Sequence, residues 1–388
     1  LPKNGILRGS AQHYTYTSYS GFIGKDHFLF RVIQNSYEKG KLVSLHHDYE
    51  GEVFKEGAVI VGRVRRVAEG LGAAFFDIGD TVDGFLPLKK VPKKMGSLIE
   101  GQDIVVRITR EKLDDKGATL SANVLHAMPE NSEKQKVPYL LEEPPVALSR
   151  ALMNSGVAPV RVWVNDARFR VEALKFVPET KVYQIDQHDD VDLLDKVDES
   201  IESLSGEKFP LVGGGVLTIE RTKALTSIDV DTGTMKMGTK EELAFQVNMI
   251  AAEEIVRLCS LLNIGGSVIV DFVSMRAKAR REQVVNYIKD LFLNSDPLKV
   301  EVLKMSRFGL LEFNREKTGK ILLNHLETPK SVACNILLKL WRSKPGAHLH
   351  QVKCSPEVAD ILNARLTPST AIAYLGRPVE IISESGYQ

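Results

Sequence analysis

The chain has 388 residues, of which 43% are hydrophobic and 26% are charged, and its formal net charge is +1. The hydrophobic fraction excludes wholesale disorder, the length predicts roughly two to three domains, and the near-zero charge excludes a wholly basic surface. No apolar run reaches the roughly 20 residues that span a bilayer, and residues 1–30 show no secretory signal. Cys259, Cys334 and Cys354 lack CxxC spacing, so we expect no disulfide framework and a reducing, cytoplasmic location.

Residues 52–126 predict a small β-barrel. Short strand-like runs alternate with glycine and aspartate turns, a spacing that is typical of barrels. The runs cover residues 59–67, 73–78, 84–88, 104–109 and 118–122. A hairpin turn is predicted at 114–117, and the polar stretch 128–138 predicts a linker.

From residue 140 onward the pattern is mixed α and β. Strands are predicted at 159–165, 181–185, 211–220, 225–230, 267–273 and 300–305, and helices at 166–176, 191–204 and 278–293. Thr239, with Glu242 three residues later, predicts a capping box that starts a further helix. The alternation favours an open α/β sheet, followed after residue 328 by a small α/β unit with a helix at 333–341.

Two aspartates, Asp229 and Asp271, are the strongest candidate site. Each ends or interrupts a strand that is otherwise apolar, where a buried carboxylate is costly unless it is paired, hydrogen-bonded or bound to a metal ion. Neighbouring strands would bring both acids to one sheet edge, and such hard oxygen ligands suit magnesium. The alternative is structural: Asp229 and Asp231 cap a turn, and Asp271 accepts hydrogen bonds from a neighbouring loop.

The barrel carries a second candidate site. Phe75 and Phe85 lie near strand edges and are flanked by Lys89, Lys90 and Lys116. Aromatic side chains beside basic residues bind single-stranded nucleic acid by stacking and phosphate contact. The alternative is that both phenylalanines fill the barrel core.

Basic residues form a third candidate. Arg276, Lys278, Arg280 and Arg281 follow Asp271 closely enough to contact phosphates, but a solvated helix start is the favoured interpretation of that run alone. Arg307 and Arg315 follow later in the chain.

Taken together, these motifs resemble the ribonuclease E/G family. The catalytic-core motifs are residues 228–231 (IDVD), Asn248 with 251–255 (AAEEI), 262–272 (LNIGGSVIVDF) and 306–312 (SRFGLLE), and the barrel motifs are 62–64 (GRV), 73–79 (AAFFDIG) and 84–88 (GFLPL). The match runs with gaps from about residue 30 to the C-terminus, and the order of several motifs agrees.

The resemblance implies a magnesium-dependent endoribonuclease that cleaves single-stranded RNA to 5′-phosphate and 3′-hydroxyl ends, with manganese as a substitute ion. The metal-binding aspartates of the family match Asp229 and Asp271, with Asp231 as a further catalytic position. Its RNA-binding barrel residues match Phe75, Phe85 and Lys116. Arg307 is an additional candidate phosphate contact.

The implied fold class is α/β (mixed α+β), with an OB-fold barrel inserted in an RNase H-like domain. A DNase I-like catalytic domain and a small C-terminal α/β domain follow. The expected boundaries are an accessory β segment at 1–28, an RNase H-like domain at 29–51 and 138–220, an OB-fold at 52–127, a catalytic domain at 221–327 and a C-terminal domain at 328–388.

Four departures from the family pattern stand out. Asp231 replaces a usual Asn, and Ser274 replaces a common acidic residue. Residues 125–137 leave no room for a 5′-monophosphate sensor, and no CPxC pair lies between residues 315 and 333. We therefore expect cleavage that is independent of the RNA 5′ end, and no structural zinc.

Two functions stay open at this point. One is the magnesium-dependent endoribonuclease; the other is a non-catalytic RNA-binding protein that retains the fold, which Asp231 and Ser274 motivate. Residues 1–28 faintly resemble the end of a bacterial cadherin-like surface repeat, which motivates a third interpretation, adhesion. We expect RNA as the partner, no membrane association, and no zinc link in any homo-oligomer.

Overall fold

A computed structural model describes residues 13–21, 30–38, 41–49, 53–113, 116–129, 135–154, 161–164, 167–184, 195, 199–236, 238–296, 298–318, 328–342, 349–364 and 366–384. Parts of the predicted turn at 114–117, of the predicted helix at 191–204 and of the segment 1–28 lie outside these residues.

The described strands are β1 (His13–Gly21), β2 (Phe30–Glu38), β3 (Lys41–Tyr49), β4 (Val59–Ala68), β5 (Ala73–Asp77), β6 (Gly84–Pro87), β7 (Asp103–Arg110), β8 (Thr119–Ser121), β9 (Tyr139–Glu142), β10 (Arg161–Val164), β11 (Val182–Gln184), β12 (Lys208–Pro210), β13 (Val216–Arg221), β14 (Thr226–Asp231), β15 (Gly266–Asp271), β16 (Val300–Val302), β17 (Leu310–Arg315), β18 (His350–Cys354) and β19 (Val379–Ser383).

The described α-helices are α1 (Ala147–Asn154), α2 (Ala167–Ala173), α3 (Lys240–Leu261), α4 (Lys278–Ser295), α5 (Pro329–Arg342), α6 (Pro356–Asn363) and α7 (Pro368–Leu375). Among the described residues, none of these helices is both long and apolar enough to cross a membrane.

Strands β4 to β8 form a closed barrel. β4 pairs with β5 at one end and with β7 at the other, and the circuit closes through β6 and β8. Alternating residues fill the interior, among them Ile60, Phe76, Leu86, Val106 and Leu120. β9 extends the sheet beside β4. The predicted barrel is therefore confirmed as a closed five-stranded barrel of OB-like form.

A second sheet has the order β11-β10-β1-β2-β3. β1 pairs with β10 on one side and with β2 on the other, so it is an internal strand. Residues 13–21 of the predicted accessory segment 1–28 thus form an internal strand of this sheet. Leu42 of β3 lies in the core of the next sheet, and Arg257 of α3 donates a hydrogen bond to its carbonyl oxygen.

The third sheet, called the aspartate sheet below, has the order β12-β13-β14-β15-β17-β16. Only the β14–β15 pair is parallel; the other four described pairs are antiparallel. The sheet is thus open, as the alternation of elements predicts, and its strand directions are mixed. The reason is that β13–β14 is a hairpin and that β17 returns antiparallel after the short strand β16.

Helices α3 and α4 cover one face of the aspartate sheet. Alternate strand residues such as Ile228, Val270 and Phe313 point into this core, where they meet Val247 and Ile288 from the helices. The opposite face carries exposed side chains, since the burial pattern of β14 alternates strictly. The sheet therefore presents one apolar and one polar face.

The capping box predicted at Thr239 and Glu242 is present at the start of α3. The helix ends at Leu261, and Asn263 follows with a φ of 53°. The predicted strand at 300–305 is shorter than expected: it ends at Val302, because the chain then turns into the loop that leads to β17.

The C-terminal unit contains α5, α6, α7 and the parallel pair β18–β19. It has its own apolar core, which includes Leu337, Leu362 and Leu375. The helix predicted at 333–341 is confirmed as α5.

A buried ion pair joins β17 to the end of α4. Arg315 Nε lies 2.6 Å from Asp296 Oδ2, and the two side chains are only 3% and 0% exposed. Arg315 Nη1 also donates to the carbonyl oxygen of Ile264 at 3.0 Å. Removing one member leaves an uncompensated buried charge, which is strongly destabilising.

We expect Asp296→Asn to lower the free energy of unfolding by about 3–5 kcal/mol, because it leaves the Arg315 charge buried without its partner. Urea unfolding measures the loss. Glu282→Gln is the matched control: it breaks the exposed Lys278–Glu282 pair, which should cost less than about 1 kcal/mol. Equal losses in the two variants would contradict the prediction.

Candidate functional site

The pairing of β14 with β15 brings the two predicted aspartates together. In the parallel register, Asp229 lies directly beside Asp271. Residues 229–232 and 271–273 line a cavity of about 310 Å³ at this edge of the sheet. The apolar flanks of Asp229 and Asp271 predict that both side chains are buried. Both are exposed instead, because they point away from the helices. The juxtaposition is as predicted, and the burial is not.

The negative charges at this edge affect Asp229. Partial burial raises the pKa of its carboxyl group, and the nearby carboxylates of Asp271 and Asp231 raise it further. The residues that line the cavity include carboxylates and no cationic side chain, so their negative charges are not compensated there. A cation placed between the carboxylates would favour their ionised forms.

Asp231 both lines the cavity and accepts a hydrogen bond from a turn. It borders the cavity, and its Oδ1 accepts a hydrogen bond from Gly233 N at 2.8 Å. The structural alternative of a turn cap therefore applies to Asp231. Alternation along β14 places it on the same exposed face as Asp229.

Asn248 holds the chain just beyond Asp271. It is fully buried on α3, and its Nδ2 donates to the carbonyl oxygen of Val273 at 2.8 Å while its Oδ1 accepts from Val273 N at 3.0 Å. This pair of bonds fixes the end of β15 relative to the helix. In the sequence, Asn248 is part of a family motif, and its role is not predicted. A single amide side chain on the apolar face of a helix is the pattern that could have predicted this role.

The loop between β16 and β17 passes beside the cavity. Leu310 is the register partner of Asp271, and Ser274 Oγ donates to the carbonyl oxygen of Phe308 at 3.0 Å. Arg307 and Phe308 are exposed on this loop. Arg307 thus lies three residues before the register partner of Asp271, and its contact with a phosphate stays a prediction.

The basic run after Asp271 separates into different roles. Arg281 Nη1 donates to the carbonyl oxygens of Met275 and Arg276 at 2.5 and 2.9 Å, so it connects the first turn of α4 to the loop that precedes the helix. Arg280 lies over the ring of Phe245, 5.4 Å from its centroid. Arg280 and Arg281 are thus half-buried and contact other parts of the chain, whereas Arg276 and Lys278 are exposed, as the favoured interpretation of a solvated helix start predicts.

No pattern in the sequence predicts the role of Glu241. Its two carboxylate oxygens each accept a backbone hydrogen bond at 3.0 Å, from Arg276 N and Ala277 N. These bonds lower the pKa of its carboxyl group. A side chain of α3 therefore caps the beginning of α4.

The barrel phenylalanines lie outside the core. Phe75 and Phe85 are half-buried and meet edge to face, with ring centroids 5.9 Å apart. The neighbouring residues Phe76 and Leu86 fill the interior instead. The alternative in which both phenylalanines are core residues is wrong, because the strand alternation turns them outward.

These rings belong to a longer line of side chains, called the barrel row below. Register pairs connect it across the strands from Arg66 to Arg110. Its members are Arg66, Phe75, Phe85, Thr119 and Arg110. The guanidinium of Arg66 lies 4.7 Å from the Phe75 ring centroid, which is a cation–π distance.

The barrel row ends at the aspartate sheet. Arg110 Nη2 lies 2.7 Å from Glu316 Oε1, directly after β17. Lys116, six residues after Arg110, is exposed, and so is Lys89. Lys90 Nζ donates a hydrogen bond to Thr109 Oγ1 at 3.2 Å. The predicted RNA-binding residues of the barrel thus share its outer surface.

The described residues fit the predicted magnesium site in part. Within the described ranges, no group of three or more His, Cys, Asp or Glu side chains is arranged to hold a metal ion. Asp229 and Asp271 nevertheless share one cavity, and magnesium commonly takes only one or two protein carboxylates. Because their charges are uncompensated, we consider that this pair fits a hard divalent cation.

Comparison with known proteins decides the family. The sequence model of the ribonuclease E/G family matches residues 89–318, more than half of the chain. The chain belongs to the ribonuclease E/G family. Both aspartates, Asn248 and the β16–β17 loop lie within the matched region.

Relatives in this family share about a quarter of their residues with the chain. Ribonuclease G of Escherichia coli is 24% identical, with 90% of this chain and 94% of the relative covered. Ribonuclease G of Haemophilus influenzae is 25% identical, covering 77% and 79%. Ribonuclease E of Haemophilus influenzae is 25% identical over 71% of this chain, which spans only 39% of that relative.

The raised pKa of Asp229 predicts a pH-dependent stability difference. The folded state holds the proton more strongly than the unfolded state, so stability falls as the pH rises from about 4 through the raised pKa. Above that window, Asp229→Asn should be more stable than wild type by less than about 1 kcal/mol, because partly exposed charges are screened.

Urea unfolding midpoints between pH 3 and pH 8 measure this difference. At the acid end, where the carboxyl group is protonated, the two proteins should unfold together. A variant that is less stable than wild type at neutral pH, in the absence of divalent ions, would contradict the electrostatic account.

Proposed function

We propose that the protein is an endoribonuclease that cleaves single-stranded RNA in RNA processing or decay, leaving 5′-phosphate and 3′-hydroxyl ends. The observation that carries the proposal is the register of β14 and β15, which places Asp229 beside Asp271 at one cavity. Family membership and relatives named ribonuclease E and ribonuclease G support it.

We propose magnesium as the cofactor, with manganese as a substitute, held by Asp229 and Asp271. The choice follows from the hard oxygen donors and from the lining of the cavity, which contains carboxylates and no cationic side chain. When bound, magnesium supplies a water of lowered pKa and neutralises charge on the phosphodiester. The chain itself must then hold the two carboxylates and position the RNA.

Other residues complete the proposed site. Asn248 fixes the end of β15 through Val273 and so positions Asp271. Asp231, oriented by Gly233 N, accepts a hydrogen bond from the attacking water. Arg307 contacts a phosphate oxygen of the substrate from the neighbouring loop.

The barrel is the proposed RNA-binding surface. Outward rings at Phe75 and Phe85 stack on unpaired bases, while Lys116 contacts the backbone. The remaining cations of the barrel row extend this surface toward the aspartate sheet.

The finer architecture is also a proposal. It comprises an RNase H-like domain at 29–51 and 138–220, an inserted OB-fold at 52–127, a DNase I-like domain at 221–327 and a C-terminal domain at 328–388. The pairing of β12 and β13 with β14 extends the aspartate sheet to before residue 221. Cleavage independent of the RNA 5′ end, absence of a zinc link and a cytoplasmic location stay predictions.

A specific observation favours a second candidate, a non-catalytic RNA-binding protein. Asp231 replaces the usual Asn, and Ser274 replaces a common acidic residue. The Ser274 hydroxyl donates a hydrogen bond to the carbonyl oxygen of Phe308. Retained RNA affinity without cleavage under any divalent ion would support this candidate.

The nuclease proposal predicts that Asp229→Asn and Asp271→Asn each lower kcat at least about 100-fold, because each removes a carboxylate ligand of the cation that would neutralise the charge developing on the phosphodiester. Cleavage of an AU-rich single-stranded RNA with magnesium measures the effect, and EDTA should abolish it. Asp290→Asn, an exposed aspartate on α4, is the control. Equal cutting by wild type and both site variants would refute the assignment.

The barrel proposal predicts that Phe75→Ala and Phe85→Ala each weaken RNA binding by about 1–3 kcal/mol, because each removes a stacking surface. Fluorescence anisotropy with a labelled single-stranded RNA gives the affinity. Leu71→Ala, which removes an exposed apolar side chain from the same barrel, should bind as wild type does. If both phenylalanine variants bind RNA with unchanged affinity, the proposal that this surface binds RNA is contradicted.

A further inference from the structure

The loop that connects β16 to β17 is bonded to the strand end that carries Asp271. Leu310 pairs with Asp271, Phe272 N donates to the carbonyl oxygen of Gly309 at 3.2 Å, and Ser274 Oγ donates to that of Phe308. The loop therefore keeps a fixed position relative to the aspartate pair.

Internal hydrogen bonds also fix the shape of this loop. Ser306 Oγ accepts from Phe308 N at 3.2 Å and from Leu310 N at 3.1 Å. Gly309 has a φ of 100°, and a Cβ at this position would lie 2.4 Å from the carbonyl oxygen of Phe272. Only glycine permits this close approach, so the backbone around Phe308 is held on both sides.

Phe308 is exposed although its backbone is held. Its side chain is 79% exposed, two residues from the register partner of Asp271, which places its backbone about 7 Å further along the chain. Arg307 and Lys304 on the same loop are exposed cations. An aromatic ring beside cations suits a nucleotide, whose base stacks while its phosphate meets positive charge.

We propose that Phe308 is a base-stacking residue of the candidate active site. It stacks on an unpaired base of a nucleotide next to the scissile phosphate at the cavity that Asp229 and Asp271 line. The proposal rests on the proposed endoribonuclease function and names the element that recognises the substrate beside the cavity. A ring in this position accepts a base only after the base leaves a helical stack, which favours single-stranded RNA.

The test uses the full chain and a single-stranded RNA that contains 2-aminopurine, whose fluorescence falls when it stacks on an aromatic ring. Phe308→Ala should weaken binding and raise KM by roughly 5- to 100-fold, with kcat changed by less than about twofold. Phe308→Trp should retain both the quenching and the KM. Leu293→Ala, which removes a side chain that is 81% exposed on α4, should behave as wild type does.

Two outcomes would overturn the proposal. In one, Phe308→Ala binds and quenches as wild type does; in the other, the Ala and Trp variants are impaired equally, which means that the residue acts through loop folding. If wild-type cleavage does not depend on Asp271, the proposed function fails, and the fluorescence measurement alone then decides the role of Phe308.

Discussion

The parallel pairing of β14 with β15 is the constraint on which the site depends. It places Asp229 beside Asp271 and leaves two like charges side by side on the exposed face. Two like charges on neighbouring strands repel each other and oppose folding. Other interactions must therefore hold the strands in register. The apolar face, packed against α3 and α4, supplies most of that stabilisation through a single large core.

The same sheet therefore separates two tasks by face. Its apolar face packs against the helices, and its polar face carries the candidate site, because successive side chains of a strand point to opposite sides. Asn248 connects the two faces: it is buried in the core, yet its amide holds the backbone that follows Asp271. A similar division occurs in the barrel, where Phe76 packs inward and its neighbour Phe75 faces outward.

Local patterns in the sequence predicted the local structure well. The capping box at Thr239 and the barrel strands follow from short-range rules, and the acids at the ends of two apolar runs predicted that Asp229 and Asp271 meet. The direction of these side chains was not predictable from apolar flanks alone, because it depends on which face the helices cover. The internal position of β1 and the hydrogen bonds of Asn248 and Glu241 join residues distant in sequence, so no local pattern reports them.

The carboxylate of Glu241 has a consequence for where an anion can bind. The beginning of a helix attracts phosphate through its free backbone N–H groups and its dipole, and α4 begins only a few residues after Asp271. Glu241 already accepts hydrogen bonds from two of the amides there. The carboxylate of Glu241 therefore occupies part of the anion-attracting end of α4, and any anion that approaches this side of the sheet edge meets a negative charge there.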